Sequence, residues 1–464
     1  MTNTQTTKAN HYVRALVALA VLTMTASLLA VMAVRPASAS TTFTVNYPYD
    51  TSDATSADSL CDVATFIPGE QCTLRAAIGQ ANATPGADAI HFGIPDSYGA
   101  GVKTIHVGGS SPSNGELPTI TDTVTIDGYT QPGSSENTLS KGTNAKPMIQ
   151  LDGSKVTGES PGLYIKAPGV VVKGLVINRF AGGIGVVDGA NNTRIEGNFI
   201  GTDPSGTLDR GNLEHGVVIW ESSNVTVGGS SPAARNLISG NGTHGVLIGS
   251  AWNQVSGNLI GTQSNGKSPL GNSGHGVAII STSNSAAFDN LVGGTAPGWA
   301  NTIAFNGGDG IAIFYAQTAS LINAYNSVYS NSIFSNKGLG IDLADNGPTP
   351  NDAGDADTGP NFQQNYPVLS SAKKSAAGKT TIKGKLNSAP NQVFTVQFFS
   401  NPKGTNEGNN YIGQKIVTTD GTGNFSFTFA TTKKVALGQN MTATAMDPSG
   451  NISEFSAPKK VVAS

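Results

Sequence analysis

Asn198-Phe-Ile-Gly-Thr202, Asn236-Leu-Ile-Ser-Gly240, Asn258-Leu-Ile-Gly-Thr262, Asn301-Thr-Ile-Ala-Phe305 and Asn331-Ser-Ile-Phe-Ser335 are versions of one phrase. Each is followed by a second: His215-Gly-Val-Val-Ile219, His244-Gly-Val-Leu-Ile248, His275-Gly-Val-Ala-Ile279, Asp309-Gly-Ile-Ala-Ile313 and Leu339-Gly-Ile-Asp-Leu343. Repetition at intervals of tens of residues marks a solenoid, whose units bury their apolar faces only by stacking on their neighbours. Within the second phrase Val217 and Ile219 alternate with their neighbours, as do Val246 and Ile248, Val277 and Ile279, Ile311 and Ile313, and Ile341 and Leu343. A period of two is that of a strand with one face turned inward. A third strand follows in most units: Asn224-Val-Thr-Val227, Asn253-Gln-Val-Ser256 and Asn290-Leu-Val-Gly293. Three strands separated by Gly and Asn make one rung of a parallel β-helix, with rungs about 4.8 Å apart. Asn198, Asn236, Asn258, Asn301 and Asn331 then stand one above another at a bend. Asn tolerates left-handed backbone and stacked amides hydrogen-bond along a column, so this ladder is read as structural.

The chain has 464 residues, room for two or three domains. Charged residues make up only 12% and the net charge is −3, which argues against a nucleic-acid partner with its need for a basic footprint. The 58 glycines and 23 prolines lie between regular apolar phrases, the pattern of a packed, turn-rich all-β protein. At the N-terminus Lys8, His11 and Arg14 precede an uncharged apolar run from Ala15 to Val34 and the small-residue site Ala37-Ser38-Ala39. This predicts a signal peptide cleaved after Ala39; the alternative is an uncleaved anchor, since the run is long enough to span a bilayer. No later stretch is long enough, so no transmembrane domain is expected after cleavage and the chain should reside outside the cytoplasm. Export to an oxidising space predicts a Cys61–Cys72 disulfide, worth about 2–3 kcal/mol for so short a loop. Two cysteines without a nearby His are too few for structural zinc.

Thr73 is a good N-cap, and Leu74, Ala77, Ile78 and Ala81 share one helical face before Asn82 to Gly86 stops the helix. Such a helix suits the open end of a first rung. Cys72-Thr-Leu-Arg-Ala-Ala-Ile78 resembles the CSLREA segment of exported bacterial β-helix proteins, with Ala76 where that family has Glu. Val124-Thr-Ile-Asp-Gly-Tyr-Thr-Gln-Pro-Gly133, Ile149-Gln-Leu-Asp-Gly-Ser154 and Asp355-Ala-Asp-Thr-Gly-Pro-Asn361 are similar to the same family. The resemblance covers residues 42–370. It implies a right-handed parallel β-helix at or beyond the cell surface, and brings no defined reaction or catalytic set. From Tyr366 the pattern changes to short, evenly spaced strands, Thr380–Leu386, Val393–Ser400, Gln414–Thr418, Asn424–Phe429 and Met441–Met446, with turns such as Asp420-Gly421. That predicts an Ig-like β-sandwich. The expected organisation is a signal peptide at 1–39, a cap at 40–86, a β-helix at 87–345, an acidic linker at 346–366 and the sandwich at 367–464.

His215, His244 and His275 occupy one place in consecutive rungs, with Asp309 in the fourth. A stacked His/His/His/Asp file could bind a transition metal or grip sugar hydroxyls; equally, Gly follows every member, so the position marks a repeated turn. Gly274-His275-Gly276 is similar to a short motif of polygalacturonases, but those enzymes need adjacent aspartates, and the chain has no Asp-Asp pair. Arg179, Arg194, Arg210 and Arg235 are available to a lyase, though none sits in a lyase motif. Asp345, Asn351, Asp352, Asp355 and Asp357 form an acidic loop; Asp352, Asp355 and Asp357 are candidate ligands for calcium, against the alternative of a solvated linker. Trp220, Ile280 and Phe314 fall at equivalent outward positions, with Gly249 between, and form either a polysaccharide-binding strip or a patch buried under loops 203–212 or 262–273.

The leading expectation is a secreted or cell-surface protein, read as a monomer, whose partner is a polysaccharide or the cell-envelope surface and which binds without catalysis. A polysaccharide lyase or glycoside hydrolase acting on an acidic polysaccharide is the competing class, supported by fold alone. A structural envelope component is a third.

Overall fold

The recurring phrases form three parallel sheets. In the first, nine strands run from Thr42–Val45 to Ser327–Tyr329. The second holds eight, from Lys103–His106 to Ser332–Phe334, and the third seven, from Leu163–Ile165 to Ile341–Leu343. Each strand pairs in register with its counterpart one rung away, as in Val217↔Val246↔Val277↔Ile311↔Ile341. The inward residues expected from the period of two are all buried, 2% exposed or less. The architecture is a parallel β-helix. These features belong to a computed structural model that describes residues 40–464 apart from 56, 57, 59, 65, 67, 109–114 and 317–320. The leader at 1–39 lies outside the described residues. Among the described residues no helix is long and apolar enough to cross a membrane.

At each corner the chain leaves the sheets, and its amides are taken up by asparagine ladders. Each backbone N–H of Asn198, Asn236, Asn258 and Asn301 donates to Oδ1 of the next asparagine, at 2.9–3.3 Å. Their Nδ2 groups reach back to carbonyls of the preceding rung, such as Val227 O from Asn258 at 2.9 Å. Two further ladders escape a reading that follows only the first phrase. One runs Asn212, Asn241, Asn272, Asn306, Asn336; the other runs Asn253, Asn290, Asn326, Asn361.

Both ends of the solenoid are closed. The helix Leu74–Ala83 starts where Thr73 Oγ1 accepts the Ala76 N–H at 3.1 Å, and it buries Leu74, Ala77, Ile78 and Ala81 against the first rungs. Arg75, the basic residue of the CSLREA-like stretch, makes a paired contact with buried Asp50 at 2.8 Å. Cys61 and Cys72 are disulfide-bonded beside it.

At the other end stands a β domain of seven strands, Val368–Lys374 to Lys459–Ala463. Two three-stranded layers face each other around Phe398, Phe427 and Phe429, and Lys459–Ala463 pairs with both. The first and last strands, VLSSAKK and KKVVA, are not among those the sequence spacing predicts. Met446 and Ile452 of this domain join the solenoid core. Glu407 accepts from Asn336 Nδ2 at 2.9 Å, so a carboxylate terminates the second ladder. Glu454 accepts the Leu343 and Thr349 N–H groups at 3.1 and 3.0 Å. Residues 346–366 do not hang free: Gly354 N–H donates to Asn387 at 2.9 Å, and Asn365 bonds Asn387 O at 3.1 Å.

Asn258→Ala would strand the Asn236 N–H and the Val227 carbonyl inside the solenoid. The expected loss is about 2–4 kcal/mol, measured by urea unfolding; a loss within the scatter of surface substitutions would show the ladder to be passive.

Candidate functional site

The outward face of the third sheet is half-buried at Val218 and Leu247 and buried at Ala278 and Ala312. Its edge is the histidine file. Rings of His215 and His244 stack at 5.1 Å between centroids, and those of His244 and His275 at 4.8 Å. In every rung the side chain accepts the backbone N–H of its successor. His215 Nδ1 takes the His244 N–H at 3.4 Å and a bond with the Thr243 hydroxyl at 2.6 Å. His244 Nδ1 takes the His275 N–H at 3.0 Å, and His275 Nδ1 takes the Asp309 N–H at 2.9 Å. Asp309 Oδ1 continues the series by accepting from Leu339. This explains why Asp replaces His in the fourth rung, since either side chain presents an acceptor at that reach. Gly274 makes room, because a Cβ there would lie 2.7 Å from His244 Nδ1.

A ring nitrogen that accepts an amide proton leaves the proton of a neutral imidazole on the other nitrogen. The file therefore presents Nε2–H donors, not the lone pairs that a transition metal needs. Nε2 of His215 and His244 has no hydrogen-bond partner among the described residues and is not among the buried unpaired atoms, so it opens to solvent. Burial, with the neighbouring imidazoles, pulls the pKa of His244 down to about 3, and burial lowers that of His215. Both rings stay neutral at physiological pH.

Alongside runs the aromatic column. Trp220 pairs with Gly249, and Ile280 with Phe314, as the repeat register predicts. A Cβ on Gly249 would meet the Trp220 ring at 2.2 Å, so the indole lies flat on that glycine. The loops carrying Thr202–Asp209 and Thr262–Pro269 fold elsewhere: Gly206 packs on Leu237 and Phe199, outward residues of the second sheet. Trp220, Ile280 and Phe314 are left half-buried. Trp252, which the sequence reading passed over, stands 53% exposed at the next corner with a left-handed φ of 60°. It shares a corner column with Asn224, Asp289 and Tyr325, all of positive φ, so Asn224 is level with Trp252 and not, as the phrases suggest, with Asn253.

The face ends in an acidic cluster. Phe314 lies 5.9 Å from His275, and donor atoms of His275, Asp309 and Asp345 lie within 4.8 Å of one another. Asp342 follows Ala312 in the outward register. Burial, with the neighbouring aspartates, raises the pKa of Asp342. Burial also raises Asp345, where the charge of Asp309 adds to it and His275 opposes it. At His275 burial lowers the pKa, but Asp309, Asp345 and Asp342 together outweigh it and the net shift is upward. Nδ1 of His275 has two claims on it, the Asp309 N–H and Asp309 Oδ2 at 3.1 Å. A bare Nδ1 serves the first and a protonated Nδ1 the second. A search for adjacent aspartates could not find this cluster, because residues 309, 342 and 345 meet only through rung stacking. Of the arginines considered for a lyase, Arg179 pairs with Asp152, Arg194 with Glu196, and Arg235 donates to backbone carbonyls including Gly142 and Gly257.

Asp352, Asp355 and Asp357 do converge, with carboxylate oxygens within 4.8 Å of one another. Asp352 accepts from Ala356, and Asp355 from Asn365 and Ser388. Asp357 Oδ1 is buried without a hydrogen-bond partner among the described residues. Burial, with the charges of Asp357 and Asp352 added, pushes Asp355 up to about 6.

No protein-family profile matches the chain, and no curated protein does. Among solved structures, the full-length tailspike protein 2 of Escherichia coli O157:H7 bacteriophage CAB120 aligns at 10% identity and a TM-score of 0.20, over 81% of this chain and 59% of its own. The tailspike protein gp49 from Acinetobacter baumannii bacteriophage Fri1, a capsular polysaccharide depolymerase, aligns at 11% identity and a TM-score of 0.19, over 82% of this chain and 67% of its own. The chain thus spans about three-fifths of the length of the first of these. Likenesses this distant do not bear on what the chain binds or does.

His244→Ala removes the acceptor of the His275 N–H and should cost about 1–3 kcal/mol. The depressed His244 pKa sets the pH dependence: the unfolded chain binds the extra proton, so this group's contribution is complete above about 6.5 and is lost as pH falls towards 3. Thermal unfolding of wild type and His244→Ala between pH 7 and 4 should converge as pH falls. A constant gap would refute the neutral acceptor role.

Proposed function

We propose that this chain is an exported, CSLREA-type surface or extracellular protein that binds polysaccharide without catalysis, with an Ig-like module at its C-terminus. The supporting observation is the outward face of the third sheet, where Trp220 lies flat on Gly249 in line with Ile280 and Phe314, beside the free Nε2–H donors of His215 and His244. Sugar rings offer C–H faces to aromatic surfaces and hydroxyls to donors, and a repeating sheet matches a repeating polymer in both respects. Neutral imidazoles carry no charge to be desolvated, which suits hydroxyl recognition.

The cluster of Asp309, Asp342 and Asp345 beside His275 favours one second reading. Carboxyls with raised pKa can hold a proton for a leaving group, as glycoside hydrolysis requires. Asp345, the most exposed of the three, would be its acid.

Calcium at Asp352, Asp355 and Asp357 belongs to the same proposal, as a brace where the loop meets the β domain. The unpartnered Asp357 oxygen and the raised Asp355 support it. A carboxyl whose pKa rises on folding binds more protons in the native state, so Asp355 lowers stability as pH rises from about 4 to about 6. An ion that binds the ionised form offsets that loss.

Binding is tested by depletion of the protein onto insoluble plant, algal and bacterial polysaccharides, with new reducing ends followed in parallel. Depletion without product, weakened about tenfold or more in Trp220→Ala plus Phe314→Ala, is expected. Product release abolished in Asp345→Asn would replace binding by hydrolysis; no depletion on any polymer would remove both. For calcium, 1 mM ion (about that order for an extracellular site) should raise the melting temperature at pH 7 but not at pH 5. The rise should vanish in Asp355→Asn plus Asp357→Asn, and equal shifts in variant and wild type would rule the site out.

A further inference from the structure

A cleft of about 750 Å³ opens between the second sheet and the β domain. Its walls are tied by backbone bonds, since Ile333 and Gly408 exchange N–H···O contacts of 3.0 Å, and by Ser332 Oγ on Asn409 O at 2.6 Å. Among the described residues its lining includes Lys141, Lys267, Lys433 and Lys434 and no carboxylate, in a protein whose net charge is −3.

These lysines come from three distant segments. Buried Arg235 holds the loop that carries Lys141, through the carbonyls of Leu139, Ser140 and Gly142 at 2.6–3.0 Å. Thr143 N–H then donates to Ser264 O at 2.7 Å, which sets that loop against the turn bearing Lys267. Across the cleft Lys433 Nζ donates to Tyr411 O at 2.8 Å and stands over the Tyr411 ring. Lys141, Lys267 and Lys434 are exposed and have no side-chain hydrogen bond or ion pair among the described residues. Half-buried Phe334 and Tyr411 add aromatic surface between them.

Like charges brought to one cleft without a counter-charge repel, and low-dielectric walls focus their field on an incoming anion. The volume is that of a small-ligand site. We propose that this cleft binds a segment of an anionic polysaccharide, with its carboxylates or sulfates on the lysines and its sugar rings against Phe334 and Tyr411. The inference takes the polysaccharide reading as its premise, and adds a second site and the charge of the polymer. Duplex DNA would share the charge, but its bases are paired and stacked on one another and offer no ring face to Phe334 and Tyr411.

The test measures binding of polygalacturonate, dextran sulfate, neutral dextran and duplex DNA to the protein by titration calorimetry at low and physiological salt. Three proteins are compared: wild type, Lys141→Gln plus Lys267→Gln, and Trp220→Ala plus Phe314→Ala. The expected result is salt-sensitive binding of one or both anionic glycans, weakened roughly tenfold by the lysine pair, with an unchanged melting temperature. A preference for polygalacturonate assigns the ligand as a uronate, and one for dextran sulfate as a sulfate ester. Glycan binding that the lysine pair leaves intact and the aromatic pair abolishes would overturn the cleft and keep the third-sheet face. DNA bound more tightly than either glycan would overturn the glycan assignment. Absence of binding to all four, together with no depletion on the insoluble panel, would overturn both sites.

Discussion

A coil of parallel strands must satisfy the backbone at every corner. Within the sheets each amide finds a carbonyl one rung away, but at the bends the ladder is interrupted and polar groups face the interior. Here the side chain at a bend bonds the backbone of the neighbouring rung. Asn does this in three columns because its amide both accepts and donates, so one residue serves an N–H on one side and a carbonyl on the other. An orphaned group at such a site would cost as much as several exposed contacts contribute. The repeat is therefore set by hydrogen bonding at corners as much as by the apolar positions between them.

The same logic explains the ends. A ladder that runs by passing bonds along has an unserved terminus, and the apolar core has two open faces. At the N-terminal face a short helix covers the core, with Arg75 and Asp50 fastening it. At the C-terminal face the β domain supplies core side chains in Met446 and Ile452, and Glu407 closes the asparagine column. Glu454 serves the last rung similarly; burial pushes its pKa up to about 7 despite the two amides it accepts. The β domain thus caps the solenoid.

Much of this was legible in the sequence. The paired phrases, their period of two, the asparagines of the first ladder, the cap helix and the cysteine pair all depend on residues close in sequence or repeated at fixed offsets. The second ladder was there too, as an Asn three residues before each member of the histidine file. What escaped depends on contacts across rungs. Asp309, Asp342 and Asp345 are spaced like unrelated residues and meet because a whole turn of chain advances only one strand spacing. Lys141 and Lys267 sit 126 positions apart; Thr143 N–H joins their loops through Ser264 O, and Arg235 holds the first loop from a third segment. The flat seat of Trp220 could be read only as an unexplained Gly249.

In the histidine file one nitrogen of each ring is committed to the fold and the other is not. Nδ1 is committed to the backbone of the next rung, and that commitment decides which nitrogen carries the proton. It turns what looks like a metal-binding series into a row of neutral donors at strand spacing. Each donor is fixed by its ring stack and by the amide behind it, so little side-chain freedom remains to be lost when a ligand arrives. The series changes character only at its last members, where Asp309, Asp342 and Asp345 gather charge around His275. Along one face, then, the repeat yields a row of imidazoles at strand spacing, and at its end a cluster of carboxyls. Whether that end is used chemically turns on Asp345, because Asp309 and Asp342 are already engaged by backbone amides.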